Sequence, residues 1–364
     1  MTPLDQTPAE GTPATQVQNQ RTDALPPPPP SVLCQTLGVP SLTIDWLAGD
    51  GSDRCYYRIA LPDARETFVL MQLSGSDAEA LRINGYDWIN IAHILDRHSI
   101  FIPRVIKALP EYAALIIEDY GNIMLETLII EKCRLGDTAS VIRLYEDSFQ
   151  IIGKMLNIPA QDQEPWCRRA FDKERFAWEL NFFIENYVEP VAQISLNAVE
   201  KKAFQQEAQS LSRFLAQFSH WFVHRDFHSR NLMVKDHKIA LIDFQDARFG
   251  PSAYDLVSLC FDSYVPLGLE VRLDLMERAL QRLPEWTPMQ ALVEIHEHWR
   301  PMLLQRQLKA IGSFGYLSIK KNRGNYLQYV RPALVTLADP VVFDERWPFL
   351  SGDLLRDLAA KIPV

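Results

Sequence analysis

A short β-hairpin set into a stretch of helical periodicity is the feature that most constrains how this chain can fold. Two apolar runs, Leu232–Val234 and Ile239–Ile242, are separated by four polar residues, a pattern typical of strand, turn and strand. Asn231 opens the first run and Asp243 follows the second, so antiparallel pairing would bring the two residues close together. Asp226 lies on the loop that leads into the hairpin. The sequence therefore predicts a polar site at the open end of this hairpin.

The sequence around this hairpin is mostly helical. Apolar residues recur at intervals of three and four, as they do on one face of an α-helix. This spacing predicts helices over residues Thr138–Leu156, Arg175–Val188, Ala198–Phe218, Gly268–Arg282 and Met289–Leu317. We therefore expect residues 122–364 to form a large, mainly helical lobe.

The part of the chain before this region predicts a smaller lobe over residues 32–121. Residues Leu42–Ala60 show the pattern of a β-hairpin, while Phe68–Leu73 and Ala113–Ile117 are apolar runs typical of buried strands. Between these runs, Ala78–His98 carries apolar residues at helical spacing. The expected fold class is therefore α+β, with a small β-rich lobe followed by a helical one.

The first 31 residues differ in character from the rest of the chain. They are rich in Thr, Gln, Ala and Pro, lack hydrophobic periodicity, and end in the five consecutive prolines Pro26–Pro30. Such a composition cannot bury enough apolar surface to fold, so we expect a disordered leader over residues 1–31. A proline-rich docking segment for a partner protein is the alternative interpretation.

Charge and cysteine content exclude several classes of protein. The chain has 37 Lys and Arg against 46 Asp and Glu, a formal charge of −9, whereas nucleic-acid-binding domains are normally basic. The five cysteines are scattered without a C-x-x-C pair, which argues against a zinc site and is typical of thiols in a reducing compartment.

Neither a signal peptide nor an apolar run near the roughly 20 residues of a membrane span is evident. We therefore expect a cytoplasmic protein without a nucleic-acid or membrane partner.

The polar residues of the hairpin match what phosphoryl transfer from ATP requires. One carboxylate must orient the attacking hydroxyl and accept its proton, and Asp226 suits this role. Hard oxygen ligands must hold Mg²⁺ against the phosphates, and Asn231 and Asp243 suit that role. An aspartate in a loop can equally be a structural cap. The spacing H-x-D-x-x-x-x-N, combined with a hairpin that ends in I-D-F, favours an ATP- and Mg²⁺-dependent kinase.

These motifs resemble a known superfamily. The segment His224–Asn231 (HRDFHSRN), followed by Asp243, is similar to the catalytic and metal loops of protein-kinase-like enzymes. His228 stands where protein kinases usually carry a lysine, the metal motif ends in Gln245 where they carry glycine, and no A-P-E sequence follows. With I-D-F-Q-D-A, the pattern resembles the aminoglycoside phosphotransferase and choline kinase branch. The resemblance implies a bilobal protein-kinase-like fold and a small-molecule substrate.

Within this branch, the chain resembles the bacterial cell-wall-recycling kinases that phosphorylate N-acetylmuramate and N-acetylglucosamine at the anomeric position. The matching motifs lie at residues 51–58, 117–121, 224–231, 241–247, 250–258 and 304–312, so the resemblance covers nearly all of residues 42–335. It implies a sugar kinase of peptidoglycan recycling. A kinase for an aminoglycoside, choline or another amino alcohol is the alternative on the same fold, and it would call for a strongly acidic cleft.

One position departs from the superfamily pattern. The superfamily usually places a lysine on the third strand of the small lobe, where it contacts the ATP phosphates, but here Gln72 stands at that position. Asp87 or Asn90 would be its partner on the following helix. The missing lysine leaves open a nucleotide-binding pseudokinase or scaffold protein.

Further ATP contacts are implied at two other places. The turn that contains Ser52 and Arg54 could cover the phosphates through its backbone N–H groups, or it could be a plain hairpin turn. Glu118 and Tyr120 follow a buried strand and suit the hinge where adenine bonds to the backbone.

The remaining candidates support the site or bind the acceptor. We expect His224 and Asp255 to brace the catalytic loop, and Asp246 to be either a brace or a solvated carboxylate. Glu179 stands among aromatic residues, which suits sugar recognition, although an amphipathic core helix gives the same pattern. Arg306, with Lys309, could face an anionic lactyl group or lie on a solvated face. On the catalytic loop, His228 is a third substrate-binding candidate.

Overall fold

The computed structural model describes residues 26–49, 54–62, 67–160 and 164–361. Contacts divide the chain into two compact units. The first comprises residues up to Arg82 together with Lys107–Ile116, and the second comprises Ile83–Ile106 together with Ile117–Val364. The leader expected over residues 1–31 lies mostly outside the described residues. It stays a prediction, as does the domain boundary between residues 121 and 122.

A five-stranded antiparallel sheet accounts for most of the first unit, which confirms the predicted β-rich character of this part of the chain. Its strands are β1 (Thr43–Gly49), β2 (Cys55–Ala60), β3 (Thr67–Gln72), β4 (Val105–Leu109) and β5 (Ala114–Glu118), in the order β1-β2-β3-β5-β4. Pairing of β1 with β2 confirms the predicted hairpin. A helix that the sequence does not predict, α1 (Pro30–Leu37), places Leu33 in a buried apolar cluster with Ile59, Leu70, Leu109, Ala114 and Ile116.

The helix predicted over Ala78–His98 is wrong in one respect, because two helices occupy this stretch. They are α2 (Gly75–Arg82) and α3 (Asp87–Arg97). Between them, Asn84 has a φ of 54°, and a left-handed residue cannot continue a right-handed helix. The sequence also does not predict β4, since most of its side chains are at least partly exposed and no apolar run marks the strand.

The second unit is mainly helical and contains all five of the predicted helical stretches. Its helices are α4 (Leu125–Arg134), α5 (Thr138–Leu156), α6 (Lys173–Phe183), α7 (Ala198–Ala216), α8 (Tyr254–Cys260), α9 (Leu269–Arg282), α10 (Met289–Lys320), α11 (Val330–Leu337) and α12 (Leu354–Lys361). A π-helical turn, Ile184–Val188, extends α6. No helix within the described part of the chain is long and apolar enough to cross a membrane.

Two small antiparallel strand pairs lie in the region of the predicted hairpin and position its loops. The predicted hairpin is confirmed as β7 (Leu232–Lys235) and β8 (Lys238–Leu241). Its two turn residues, Asp236 and His237, both have positive φ, as in the type I′ turns that match the twist of paired strands. The strand before this hairpin, β6 (Trp221–Val223), pairs with the strand after it, β9 (Arg248–Gly250). The two ends of the segment that contains the hairpin therefore lie side by side. The intervening loops are thereby held at the open end of the hairpin.

Candidate active site

A buried carboxylate on α8 holds the start of the catalytic loop. Asp255 accepts the backbone N–H of His224 at 2.6 Å with one oxygen and that of Arg225 at 3.0 Å with the other. Arg225 has a φ of 85°, which is unfavourable for a residue with a side chain, so this anchoring stabilises a strained backbone. Burial raises the pKa of Asp255 to about 6, against the opposing effect of His224 and the two N–H donors.

His224 joins the catalytic loop to the metal-loop segment that begins at Ile242. Its side chain is fully buried, and its Nε2 lies 2.9 Å from the carbonyl oxygen of Ile242. The backbone N–H of Asp226 donates to its Nδ1 at 3.3 Å. Because a carbonyl oxygen can only accept, the ring proton belongs on Nε2. His224 thus has the contacts expected of a structural brace.

Asp226 lies among three cations. Its Oδ1 is 3.4 Å from Lys309 Nζ and 3.7 Å from Arg306 Nη2, and its Oδ2 is 3.8 Å from Arg225 Nε. Burial alone would raise the pKa of Asp226, but Lys309, Arg225 and Arg306 outweigh it and hold that pKa well below its usual range. The carboxylate is therefore ionised at neutral pH and able to accept a hydrogen bond from a hydroxyl.

The structure brings Asn231 and Asp243 together at the open end of the hairpin. The Ile242 N–H donates to the Asn231 carbonyl oxygen at 3.0 Å, which fixes the two segments side by side. The Asn231 amide nitrogen donates to the Asp226 carbonyl oxygen at 2.9 Å, so the amide oxygen is the atom that can bind a cation. Asp243 has a φ of 62°, and its Oδ1 accepts from Gln245 Nε2 at 2.8 Å.

This donor set fits magnesium bound to a nucleotide. Magnesium in kinase sites uses one or two carboxylates and completes its shell with phosphate oxygens and water. The described residues contain no cluster of three or more His, Cys, Asp or Glu side chains able to hold a metal by themselves. A cation at Asn231 and Asp243 would therefore depend on ligands from the substrate phosphates.

The residue that follows Asp243 is anchored by packing. Phe244 is fully buried, and its ring centroid lies 4.9 Å from that of Trp88 on α3. Burying an aromatic pair of this kind stabilises its position by roughly 0.5–1.5 kcal/mol beyond the area that is buried. The metal-loop backbone is thus fixed on both sides of Asp243, by this contact and by the His224–Ile242 bond.

Asp246 lies at the centre of an arginine cluster, although its side chain is 46% exposed. Its oxygens are 3.2 Å from Arg225, 3.7 Å from Arg248 and 3.8 Å from Arg169. These contacts are those of a brace, and Asp246 and Asp226 contact different nitrogens of the Arg225 guanidinium. The prediction of a supporting role is compatible with this geometry but stays untested.

A cavity of about 130 Å³ opens beside Asp226 within the second unit. Its wall combines charged groups, hydroxyls and aromatic rings, contributed by Asp226, His228, Ser258, Asp262, Ser263, Tyr264, Arg306, Lys309, Ser313 and Phe314. Two carboxylates and two cations line it, so it is polar without being strongly acidic. An acceptor hydroxyl placed there would lie next to Asp226.

Of the three predicted acceptor-binding residues, His228 and Arg306 line this cavity. Burial lowers the pKa of His228, so its ring is neutral at neutral pH, and the ring packs edge-on against Tyr264 with centroids 5.2 Å apart. Arg306 is only 8% exposed and donates to the Ser258 hydroxyl at 2.9 Å. The alternative that Arg306 lies on a solvated face is therefore wrong.

Glu179, the third of these residues, is fully buried on α6 and is not part of the cavity wall. Its Oε2 accepts from Gln305 Nε2 at 2.8 Å, and its Oε1 is 3.5 Å from Arg175 Nε. It therefore has protein partners, and its contact with a substrate stays a prediction.

The nucleotide-side candidates of the first unit are Ser52, Arg54 and Gln72. Ser52 lies outside the described residues. Arg54 is 8% exposed and forms an ion pair with Asp77 on α2, with two guanidinium nitrogens each 2.9 Å from the same oxygen. The Gln72 amide nitrogen donates to the carbonyl oxygens of Tyr112 at 2.8 Å and Ala113 at 3.2 Å. Gln72 therefore bonds to the β4–β5 connection, and its contact with ATP stays a prediction.

Of the hinge candidates, Glu118 is the last residue of β5 and Tyr120 follows the strand. Glu118 forms an ion pair with Arg104 at 3.1 Å. Burial raises the pKa of Tyr120, and Lys235 Nζ donates to the neighbouring Asp119 carbonyl at 2.7 Å. These contacts involve side chains and one carbonyl, and the predicted backbone contacts with adenine stay untested.

Sequence reasoning missed one carboxylate that organises the cavity. Asp262 is 4% exposed and accepts the backbone N–H groups of Ser229 at 2.9 Å and of Tyr264 at 2.8 Å. It directly follows Leu256–Phe261, a buried stretch that is apolar except at Ser258. A carboxylate next to a buried stretch needs hydrogen-bond donors to be stable. This requirement is the sequence signal by which Asp262 could have been predicted.

The five-stranded sheet followed by the mainly helical second unit is a protein-kinase-like fold, and the chain is a phosphotransferase of the kinase type. The chain belongs to the APH phosphotransferase enzyme family, whose pattern matches residues 46–292. Enzymes of this family transfer phosphate to alcohol groups, and a small-molecule substrate used with ATP is typical of them.

Two relatives carry the same name, N-acetylmuramate/N-acetylglucosamine kinase. The protein from Neisseria meningitidis serogroup B is 27% identical over 290 residues, which cover 78% of this chain and 81% of the relative. The protein from Pseudomonas putida is 27% identical over 327 residues, which cover 88% of this chain and 90% of the relative. Among solved structures, Plasmodium vivax ethanolamine kinase is similar in fold, with a TM-score of 0.56 at 12% identity over 83% of each chain.

Proposed function

We propose that this chain is an ATP-dependent kinase that phosphorylates the anomeric hydroxyl of an amino sugar, N-acetylmuramate or N-acetylglucosamine, in peptidoglycan recycling. The observation that carries the proposal is the position of Asp226 in the wall of a cavity that combines hydroxyls, aromatic rings and two cations. Similarity to two kinases of these sugars, over 81% and 90% of their lengths, supports the choice of acceptor. The five cysteines are free thiols, which suits the proposed cytoplasmic location.

The reaction follows from the residues around the cavity. The acceptor hydroxyl donates a hydrogen bond to Asp226, which orients its oxygen toward the γ-phosphorus of ATP. The new O–P bond forms, the bond from that phosphorus to the β–γ bridging oxygen breaks, and ADP leaves with the electron pair. The hydroxyl proton passes to Asp226. Because the pKa of Asp226 is held low, orientation is its main contribution and the proton moves late.

Asn231 and Asp243 would hold Mg²⁺, which when bound neutralises charge on the phosphates. The role of this protein is to place the two ligands, through the Ile242–Asn231 hydrogen bond and the Asn231–Asp226 hydrogen bond. His224 and Asp255 hold the backbone of the loop around Asp226 through their hydrogen bonds.

The charge of the cavity favours a sugar over a cationic acceptor. Arg306 and Lys309 offset Asp226 and Asp262 in its wall. A choline or aminoglycoside site would call for an excess of carboxylates, so a neutral or anionic sugar suits this wall better. The lactyl carboxylate of N-acetylmuramate would complement Arg306. A pseudokinase is disfavoured because Asp226, Asn231 and Asp243 are all present and grouped.

The test is a panel of acceptors incubated with the purified chain, ATP and Mg²⁺. The panel contains N-acetylmuramate, N-acetylglucosamine, glucose, choline, ethanolamine and an aminoglycoside. ADP release gives the rate, and phosphorus NMR identifies an anomeric phosphate by its coupling to the anomeric proton. We expect turnover with the two N-acetylated sugars. Turnover with the amino alcohols alone would overturn the acceptor class, and nucleotide binding without turnover on any acceptor would identify a pseudokinase.

A further inference from the structure

The loop that carries Asp226 lacks the lysine that protein kinases use beside the transferred group. Protein kinases usually carry a lysine two residues after the catalytic aspartate, and His228 occupies that position here. The ring of His228 packs against Tyr264, and its burial keeps it neutral at neutral pH. A lysine that does the work of the one protein kinases carry at this position must therefore come from another part of the fold.

Lys309 on α10 provides such a charge. Its ammonium nitrogen lies 3.4 Å from Asp226 Oδ1, although the two residues are 83 positions apart in the chain. The Lys309 side chain is 14% exposed and lines the same cavity as Asp226. Burial lowers the pKa of Lys309, and the charge of Asp226 opposes this shift.

The two other cations near Asp226 each contact a further protein group. Arg225 contacts Asp246 at 3.2 Å, and Arg306 donates to the Ser258 hydroxyl at 2.9 Å. The ammonium of Lys309 has three N–H donors, and its hydrogen bond within the described part of the chain is the one to Asp226. Lys309 therefore keeps donors for a ligand in the cavity.

Close helix packing fixes the position of Lys309. Gly312, one turn further along α10, faces the backbone of Phe183 on α6, where an added Cβ would lie 2.7 Å from the Phe183 Cα. The absence of a side chain at Gly312 lets α10 approach α6 closely, which sets the register that points Lys309 at Asp226.

We infer that Lys309 is a catalytic residue, which supplies from α10 the positive charge that stabilises the phosphoryl group as it passes from ATP to the acceptor. One N–H of its ammonium stays on Asp226 and the others bind equatorial oxygens of the transferred group. No covalent bond of Lys309 forms or breaks. The proton of the acceptor hydroxyl goes to Asp226, and ADP leaves with the electron pair of the broken O–P bond. The inference rests on the proposed kinase function, but not on the identity of the sugar.

The experiment compares the wild-type protein with Lys309→Met, Lys309→Arg and Lys320→Met. The last is a matched control, since Lys320 is an exposed lysine in the final turn of the same helix. We expect Lys309→Met to lower kcat roughly 100-fold or more, as removal of one preorganised charge partner does elsewhere. The KM values for ATP and acceptor should change only a few-fold. Lys309→Arg should recover part of the loss, and Lys320→Met should match the wild type.

A binding measurement separates catalysis from structural support. Calorimetry gives the affinity for ADP with Mg²⁺, and then for ADP, Mg²⁺ and aluminium fluoride, which mimics the transferred phosphoryl group. Lys309→Met should bind ADP normally but lose most of the gain that aluminium fluoride gives the wild type. An unchanged gain, or an unchanged kcat, overturns the inference. A wild-type protein that lacks turnover and does not bind ADP overturns the proposed function instead. If Lys309→Met does not fold, Lys309→Gln removes the same charge with a polar side chain and takes its place.

Discussion

The imidazole of His224 lies with its Nε2 2.9 Å from the carbonyl oxygen of Ile242, the residue immediately before Asp243. This bond connects the loop that carries Asp226 to the segment that carries Asp243. Because this bond ties the two segments together within the protein itself, the proposed base and the proposed metal ligand are positioned relative to each other before any ligand binds. Preorganisation of this kind is what phosphoryl transfer requires of a protein.

Replacing His224 by alanine should cost about 2–4 kcal/mol of unfolding free energy, because it removes a fully buried side chain and both of its hydrogen bonds, to the partly buried Ile242 carbonyl and Asp226 N–H. Chemical denaturation measures the change. His93→Ala is the matched control, since His93 is an exposed residue of α3, and it should stay within about 0.5 kcal/mol of the wild type. A loss at His224 no larger than the loss at His93 would show that the bridge is not structural.

Asp226→Asn should reduce kcat by about 10²–10⁴-fold while nucleotide affinity changes only a few-fold, since a neutral amide orients the acceptor hydroxyl less strongly and cannot take up its proton. Steady-state ADP release and a nucleotide titration measure the two quantities. An unchanged rate would remove Asp226 from the proposed role. Its loss of charge also unpairs Lys309, so thermal unfolding of the variant should be recorded beside the kinetics.

Asp243→Asn should raise the Mg²⁺ concentration needed for half-maximal rate by roughly tenfold or more, because the ligand loses its negative charge. Asparagine tolerates the positive φ of this position better than other residues, so the variant keeps the backbone conformation. Rates are measured across a Mg²⁺ series at saturating ATP. The same half-saturation point in both proteins would argue against Asp243 as a ligand.

Asp255 should make the unfolding free energy depend on pH in a defined direction. Its folded pKa, raised by burial to about 6, exceeds its ordinary value, so the native state binds more protons than the unfolded state between about pH 4 and pH 6. Stability from this group is present at low pH and is lost as pH rises through 6, by about 3 kcal/mol in all.

Urea unfolding at intervals from pH 4.5 to pH 7.5 tests this dependence on Asp255. The Asp255→Asn variant cannot titrate, so its unfolding free energy should fall less over this interval than that of the wild type. The difference between the two slopes isolates the contribution of Asp255. Parallel curves would show that its carboxyl group does not change its proton occupancy on folding.

Gly312→Ala should cost about 1–3 kcal/mol, because the new methyl group would meet the Phe183 backbone and push α10 away from α6. Thermal unfolding gives the change. Gly324→Ala is the control, since no described heavy atom lies within 4 Å of the position of its added Cβ. If the two variants are equally stable, close packing at Gly312 does not set the position of α10.

The sequence by itself determined the local helices and strands and the functional groups that lie close together along the chain. Two apolar runs around Lys235–Lys238 were enough to predict the hairpin, because period and turn chemistry are local. That hairpin in turn placed Asn231 beside Asp243. Helical spacing likewise predicted α5 and α10. The sequence could not predict β4, because most of its side chains are partly exposed and form no apolar pattern. Nor could it predict the helix break at Asn84, because that break depends on the φ angle of one residue.

The tertiary structure alone decided which distant groups face Asp226. Lys309 and Arg306 had two open interpretations in the sequence, since a basic residue on a helix can face solvent or a carboxylate. Packing of α10 on α6 through Gly312 turned both toward Asp226. Asp255 and Asp262 likewise acquired their partners only when α8 met the catalytic loop. Charge contacts between residues far apart in the chain depend on helix register, and helix register is set by side-chain packing over the whole fold.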